Sequence, residues 1–200
     1  MAATQLPKVA YATAIDLGDP SSPCESIHPR RKQEVGRRLS LSVRSIQYKE
    51  LGGLVYTGPI LDGVQQLPLL SSTVMIYLSF SPGTSDGLHM HGSPECSTCC
   101  KEHPFQVLDA TGNWSRVLQS DVRNAQIALL SDVGPIFGVR YAWEIYPQCL
   151  IYNGEGGPDD HAGISGAPWE WCAYPSSDPA WTGKACTVPA AETVPVELQL

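Results

Sequence analysis

The chain has 200 residues, 42% hydrophobic and 16% charged, with a formal net charge of −7. That length suits one domain, or one small domain plus part of another, and the apolar content supports a core. The acidic balance argues against a nucleic-acid partner, which asks for a basic face, and no run approaches the roughly 18–20 apolar residues of a membrane span.

The opening, "MAATQLPKVAYATAIDLGD", meets Asp16 too early to hold the apolar stretch of a signal peptide and reads instead as the middle of a protein. Residues 9–16, "VAYATAID", are expected to form a short buried strand. Residues 29–48 are expected to form a helix: Pro29 suits a first helical position, and Val35, Leu39, Val43 and Ile46 recur at helical spacing. Arg30, Arg31, Lys32, Arg37, Arg38 and Arg44 lie mostly off that stripe and are expected to be a solvated helix face, not a nucleic-acid patch. Gly52 and Gly53 end the helical pattern.

From there the texture changes. Short β-rich runs at 54–57, 73–80, 105–109, 114–118, 125–131 and 137–143 are separated by Gly, Pro, Asp and Ser. This spacing predicts a small antiparallel sandwich over 51–150. Residues 151–200 are rich in Gly, Pro, Trp and Cys and lack periodicity, so they are expected to be an irregular tail pinned by disulfides. The fold class is therefore α/β plus β, with residues 1–50 as a single strand-helix unit joined to a sandwich. One such unit cannot cover both faces of its strand, so it wants a partner sheet outside this sequence, and Val9, Tyr11 and Ile15 are expected to expose apolar surface.

The seven cysteines, Cys24, Cys96, Cys99, Cys100, Cys149, Cys172 and Cys186, fall mostly in loop-like stretches, which fits an oxidising compartment. The odd count leaves at least one free or paired outside the chain. "NWS" at 113–115 is a glycosylation sequon and agrees with a secretory route.

Four constellations can carry chemistry. Asp16 with His28 has the form of the base half of a Ser-His-acid esterase: a carboxylate to orient, and a histidine ahead of a helix. A helix start disfavours imidazolium and so keeps a neutral base available. The plainer alternative is that His28 makes only local hydrogen bonds before Pro29. "GTSDG" at 83–87 matches the G-x-S-x-G nucleophile elbow, but no helical pattern follows it, and a hairpin loop is the expected form. "DGLH" at 86–89 resembles an Asp-x-x-His block yet runs into a cysteine cluster. His89, His91, Cys96, Cys99, Cys100 and His103 can be arranged around zinc, with disulfides as the favoured alternative. Asp159, Asp160 and His161 are expected to be a solvated turn. No Gly-Asp-Ser or Gly-Gln-Ser supplies a nucleophile, and none of Asn113, Asn124 and Asn153 stands in a Gly-x-Asn.

Three segments carry a resemblance: "AIDLGDPSSPCESIHPRRKQEVGRRL" at 14–39, "YTGPI" at 56–60 and "GVRYAWEIYPQC" at 138–149, with "LIYNGEG" a weaker fourth. In this order and spacing they resemble the C-terminal part of the sialate O-acetylesterases, secreted or lysosomal members of the SGNH hydrolase superfamily. The resemblance implies that residues 1–50 are the last strand-helix unit of a flavodoxin-like SGNH domain, and that the sandwich follows it. It implies His28 as catalytic base and Asp16 as the acid in preference to Glu25, with the main-chain carbonyl near Ser26 as another way to orient the ring. It implies a serine nucleophile in an earlier block absent from this chain, O-acetylated sialic acid or its glycoconjugates as substrate, no cofactor, no metal, and a need for the N-terminal part of the hydrolase domain. Two other readings stay open: a non-enzymatic carbohydrate-binding sandwich displaying Trp169, Trp171 and Trp181, and a zinc module over His89–His103.

Overall fold

The computed structural model describes residues 7–25, 28–49, 54–92, 103–154, 163–173 and 186. It has one helix, α1 (Lys32–Ile46), and ten strands: β1 (Leu61–Pro68), β2 (Val74–Phe80), β3 (His89–Gly92), β4 (Phe105–Leu108), β5 (Trp114–Arg116), β6 (Gln119–Arg123), β7 (Gln126–Ser131), β8 (Gly138–Tyr141), β9 (Cys149–Tyr152) and β10 (Trp169–Cys172). One sheet runs β1-β2-β7-β6, a second β10-β8-β4-β5, and β3 pairs with β9. Every pairing is antiparallel.

The sandwich follows from period-two burial. In β2, Val74, Ile76, Leu78 and Phe80 are buried while Met75, Tyr77 and Ser79 are half-buried. Ile127 and Leu129 of β7 continue that face, and Phe105, Val107, Val139 and Tyr141 of the second sheet meet it in one core. Each fully buried side chain of this kind contributes roughly 1.5–3 kcal/mol. Tyr141 carries its hydroxyl into that core, where it accepts a hydrogen bond from the Ile151 amide at 2.9 Å. Burial pushes its ionisation well above the ordinary tyrosine range.

Several expectations are corrected. Residues 9–16 form no strand; they run as irregular chain into a turn, with the Leu17 amide donating to the Ala14 carbonyl at 3.0 Å. No neighbouring strand pairs with them among the described residues, and a strand without a partner leaves its backbone groups unmet. Of the three side chains expected to be bare, Val9 is 40% exposed, whereas Tyr11 and Ile15 are half-buried, Ile15 against the core. Residues 54–57 are not a strand either. Beyond residue 150, β9 continues to Tyr152 and β10 adds an edge to the second sheet, so part of the supposed tail belongs to the sandwich.

The helix begins at Lys32 rather than Pro29, with Arg31 at its N-cap making no side-chain cap. Glu34 in the first turn and Arg44 in the last suit the helix dipole. The face it buries is not the predicted stripe. Glu34, Arg38, Leu41 and Ser42 are buried, while Leu39 and Val43 stay 46% and 49% exposed. Spacing identified which residues share a face but not which face turns inward; the charged partners described below decide that.

Replacing Tyr141 by Phe keeps the ring and strands the buried Ile151 N–H. The expected loss is about 1–3 kcal/mol of unfolding free energy, read as a lower urea midpoint at unchanged slope.

Candidate active site

The helix and the loop before it are held to the sandwich by one buried ionic cluster. Arg38 is 1% exposed. Its Nη1 and Nη2 each donate at 2.7 Å to a different oxygen of Asp16, its Nε donates to Glu34 at 2.8 Å, and Nη1 also reaches the Thr13 carbonyl at 2.9 Å. Ser165, which follows β9, donates to Asp16 at 3.0 Å. Glu34 receives a second guanidinium, from Arg37, through two bonds of 2.8 Å. Burial alone raises the Glu34 carboxyl, but the hydrogen bonds from Arg37 and Arg38 outweigh it and hold the group below its usual range. The Tyr152 hydroxyl lies against the Asp16 carboxylate; burial first, and the Asp16 charge second, push its ionisation upward.

Arg38 is therefore not part of a solvated basic face. Two carboxylates draw it inward, one of them a helical turn earlier on its own face.

Asp16 does not meet His28. Both of its oxygens accept from Arg38, and no hydrogen bond joins it to the imidazole among the described residues. A buried carboxylate takes the nearest guanidinium, and here that cation lies on the following helix.

His28 itself sits exposed on a closed loop. Arg30 grips Asp19 with Nε at 2.6 Å and Nη2 at 2.8 Å, and its Nη2 reaches Ser21 at 3.0 Å. The Ser22 hydroxyl donates to the His28 carbonyl at 2.6 Å, and the His28 amide donates to Glu25 at 3.0 Å. The amide and the carbonyl of His28 are thus both held by hydrogen bonds while the residue stays exposed. The Arg30 hydrogen bond lowers Asp19 from 3.8 to about 2. Gly18 passes beneath the Tyr146 ring, where any side chain would collide with it, so the loop between β8 and β9 abuts the histidine loop. Ser26 and its neighbour Ile27 lie outside the described residues. Cys24 is a free, exposed thiol.

The other candidates separate. Ser85 is 6% exposed in a turn between β2 and β3, with no helix after it, so "GTSDG" is a strand-to-strand turn. His89 stacks on Tyr152 at 5.6 Å, and His91 meets the same ring edge-on at 6.3 Å. The His103 Nδ1 lies 2.8 Å from the Ser120 hydroxyl. These histidines form no group of three ligating side chains among the described residues. The group found there, Glu170, Cys172 and Cys186, has its two sulfurs joined as a disulfide. Cys96, Cys99, Cys100, Asp159, Asp160, His161 and Trp181 lie outside the described residues. Trp169 packs inward against Tyr141 at 5.7 Å and Phe105 at 6.4 Å. Trp171 also packs on the core, so neither tryptophan is a display platform.

Sequence reasoning missed the Arg38 cluster and the Asp19–Arg30 clasp. The signal was present: Glu34 and Arg38 stand at i,i+4, the spacing of a helical ion pair.

Comparison with known proteins gives relatives by sequence. The chain is 31% identical over 153 residues to the sialate O-acetylesterase of Mus musculus, a match covering 74% of this chain and 26% of that protein. It is likewise 31% identical over 153 residues to those of Rattus norvegicus and Homo sapiens, covering 26% and 27% of them. The chain thus spans about a quarter of the length of the curated relatives it matches. No protein-family model matches it. By structure it resembles a carbohydrate acetylesterase from Xanthomonas citri, with a TM-score of 0.53 at 22% identity, over 82% of this chain and 32% of that one. At that identity the likeness speaks to the fold.

Two measurements check this geometry. Arg38→Met leaves the buried Asp16 without its cation and Glu34 with Arg37 alone, and is expected to lower the unfolding free energy by about 3–5 kcal/mol in denaturant titration. The Asp19 clasp is expected to persist above the ordinary carboxylate value of 3.8 and to be lost as pH falls through about 2. Carboxyl NMR shifts should report a midpoint near that lower value, and Arg30→Ala should return it to the ordinary range.

Proposed function

We propose, proceeding from this chain's kinship with the sialate O-acetylesterases over about three quarters of its length, that it supplies the general base of an esterase removing O-acetyl groups from sialic acids. The base is His28. The observation that carries the assignment is its setting: an exposed residue whose own amide and carbonyl are both hydrogen-bonded, beside the Asp19–Arg30 ion pair.

In this reading residues 1–50 are the closing part of an SGNH-type hydrolase domain, and the sandwich supports it. The nucleophilic serine comes from a segment outside these 200 residues. His28 accepts the serine proton as Oγ attacks the acetyl carbonyl, then returns it to the departing sugar oxygen, leaving acetyl-serine. It next takes a proton from water, whose attack releases acetate and restores the serine. Oxyanion donors belong to the same missing segment. Asp16 acts as a positioning residue, through Arg38, rather than as the acid touching the imidazole.

Two features support a missing partner. The His28 ring has no hydrogen-bonded serine among the described residues. Leu39 and Val43 present an apolar helix face to solvent, which a neighbouring sheet would cover. The disulfide between Cys172 and Cys186, and the disulfide-bonded state of Cys149, support an extracellular or lysosomal compartment. No helix among the described residues is long and apolar enough to cross a membrane.

The test compares this chain with a longer protein that adds the serine-bearing segment. The chain alone is expected to release acetate from O-acetylated sialic acid at the background rate. The longer protein should turn over, and His28→Ala should lower its kcat by about 10⁴-fold. Turnover that survives His28→Ala would assign the base elsewhere.

A further inference from the structure

The outer face of the second sheet carries a polar row that the esterase reading does not use. Glu170 stands opposite Arg140, Arg140 opposite Gln106, and Gln106 opposite Arg116, so the row crosses all four strands. Arg116 is committed to Glu144 and to the His103 carbonyl. Arg140 is not so committed. Its Nε donates to Gln106 at 2.5 Å, and its two terminal nitrogens have no hydrogen-bond partner among the described residues.

Two tryptophans flank it. The Arg140 guanidinium lies 4.3 Å from the Trp114 ring centroid and 5.7 Å from that of Trp143. Room for Trp114 is made by Gly138, where an added Cβ would come within 3.1 Å of its ring. Trp143 is 49% exposed. The single carboxylate facing Arg140 across the row, Glu170, has Oε1 engaged by the Cys186 amide at 2.7 Å.

Stacking fixes the plane of a guanidinium and leaves its N–H edge to bind. A pre-oriented edge is matched by a carboxylate, which takes two parallel charge-assisted hydrogen bonds. A half-exposed indole beside it offers a flat apolar surface, the partner of the C–H face of a sugar ring. We propose that this face is a binding subsite for a carboxylate-bearing pyranose, with Arg140 holding the carboxylate and Trp143 carrying the ring. The site stands on this geometry; only the choice of probe rests on the esterase reading.

The test is a titration of the isotope-labelled chain with the methyl α-glycoside of N-acetylneuraminic acid, following the tryptophan indole N–H resonances. Its methyl ester and methyl β-N-acetylglucosaminide serve as neutral controls. The expected result is a saturable shift of the Trp114 and Trp143 signals with the acid, and binding of both neutral sugars weaker by about tenfold or more. Arg140→Gln and Trp143→Ala should each weaken the acid by a similar factor; Trp143, being half exposed, provides a variant that spares the core. No shift with the acid, equal shifts with the ester, or full affinity in both variants would overturn the proposal. Binding is read without turnover, so intact binding beside a failed esterase test removes only the preceding reading.

Discussion

The structure turns on one buried pair, Asp16 with Arg38. The guanidinium satisfies two carboxylates and a main-chain carbonyl at once, and Ser165, bridged to Tyr152 at the end of β9, ties the sandwich to the same point. With Arg37 included, two acids meet two bases, so the cluster is close to neutral. Such a pair adds little net stability over an apolar core of equal volume, because its desolvation is costly. Its effect is on specificity. It dictates which face of α1 turns inward and where the loop from Leu17 to Arg31 leaves the sandwich.

Two consequences follow. Committing the charged face inward leaves Leu39 and Val43 outward, an inversion of the usual amphipathic arrangement. Such an inversion suits a helix with a second partner, the part our proposal gives to the rest of the hydrolase domain. The loop, fixed at its base by Asp16 and closed by Asp19 with Arg30, then holds His28 at the surface, where a group from another segment can reach it. The sandwich is continuous with this loop through Tyr146 over Gly18.

Much of the sandwich was legible because central strands alternate: β2, β4, β7 and β8 were expected close to their observed places. Among the edge strands only β5 was, within the expected run at 114–118. β1 and β6 are polar sequences, "LDGVQQLP" and "QSDVR", whose pairing is set by neighbours rather than by their own pattern, and β6 reaches β7 through a tight turn at Asn124. β10 was hidden in a stretch that reads as irregular. The helix was visible from its spacing, but the apolar stripe misled about orientation, since ion pairing outweighed it. His28 was singled out by its position before a helix, and nothing in the sequence showed that Asp16 would be taken by Arg38.

The central claim is that the nucleophile partnering His28 lies outside these 200 residues. Treating the chain with a fluorophosphonate, which forms a covalent adduct with activated serines, and mapping the product by peptide mass spectrometry tests this directly. The account predicts no adduct on any serine of the chain. An adduct on Ser85, or on Ser120 beside His103, would place a working nucleophile within it and contradict the account.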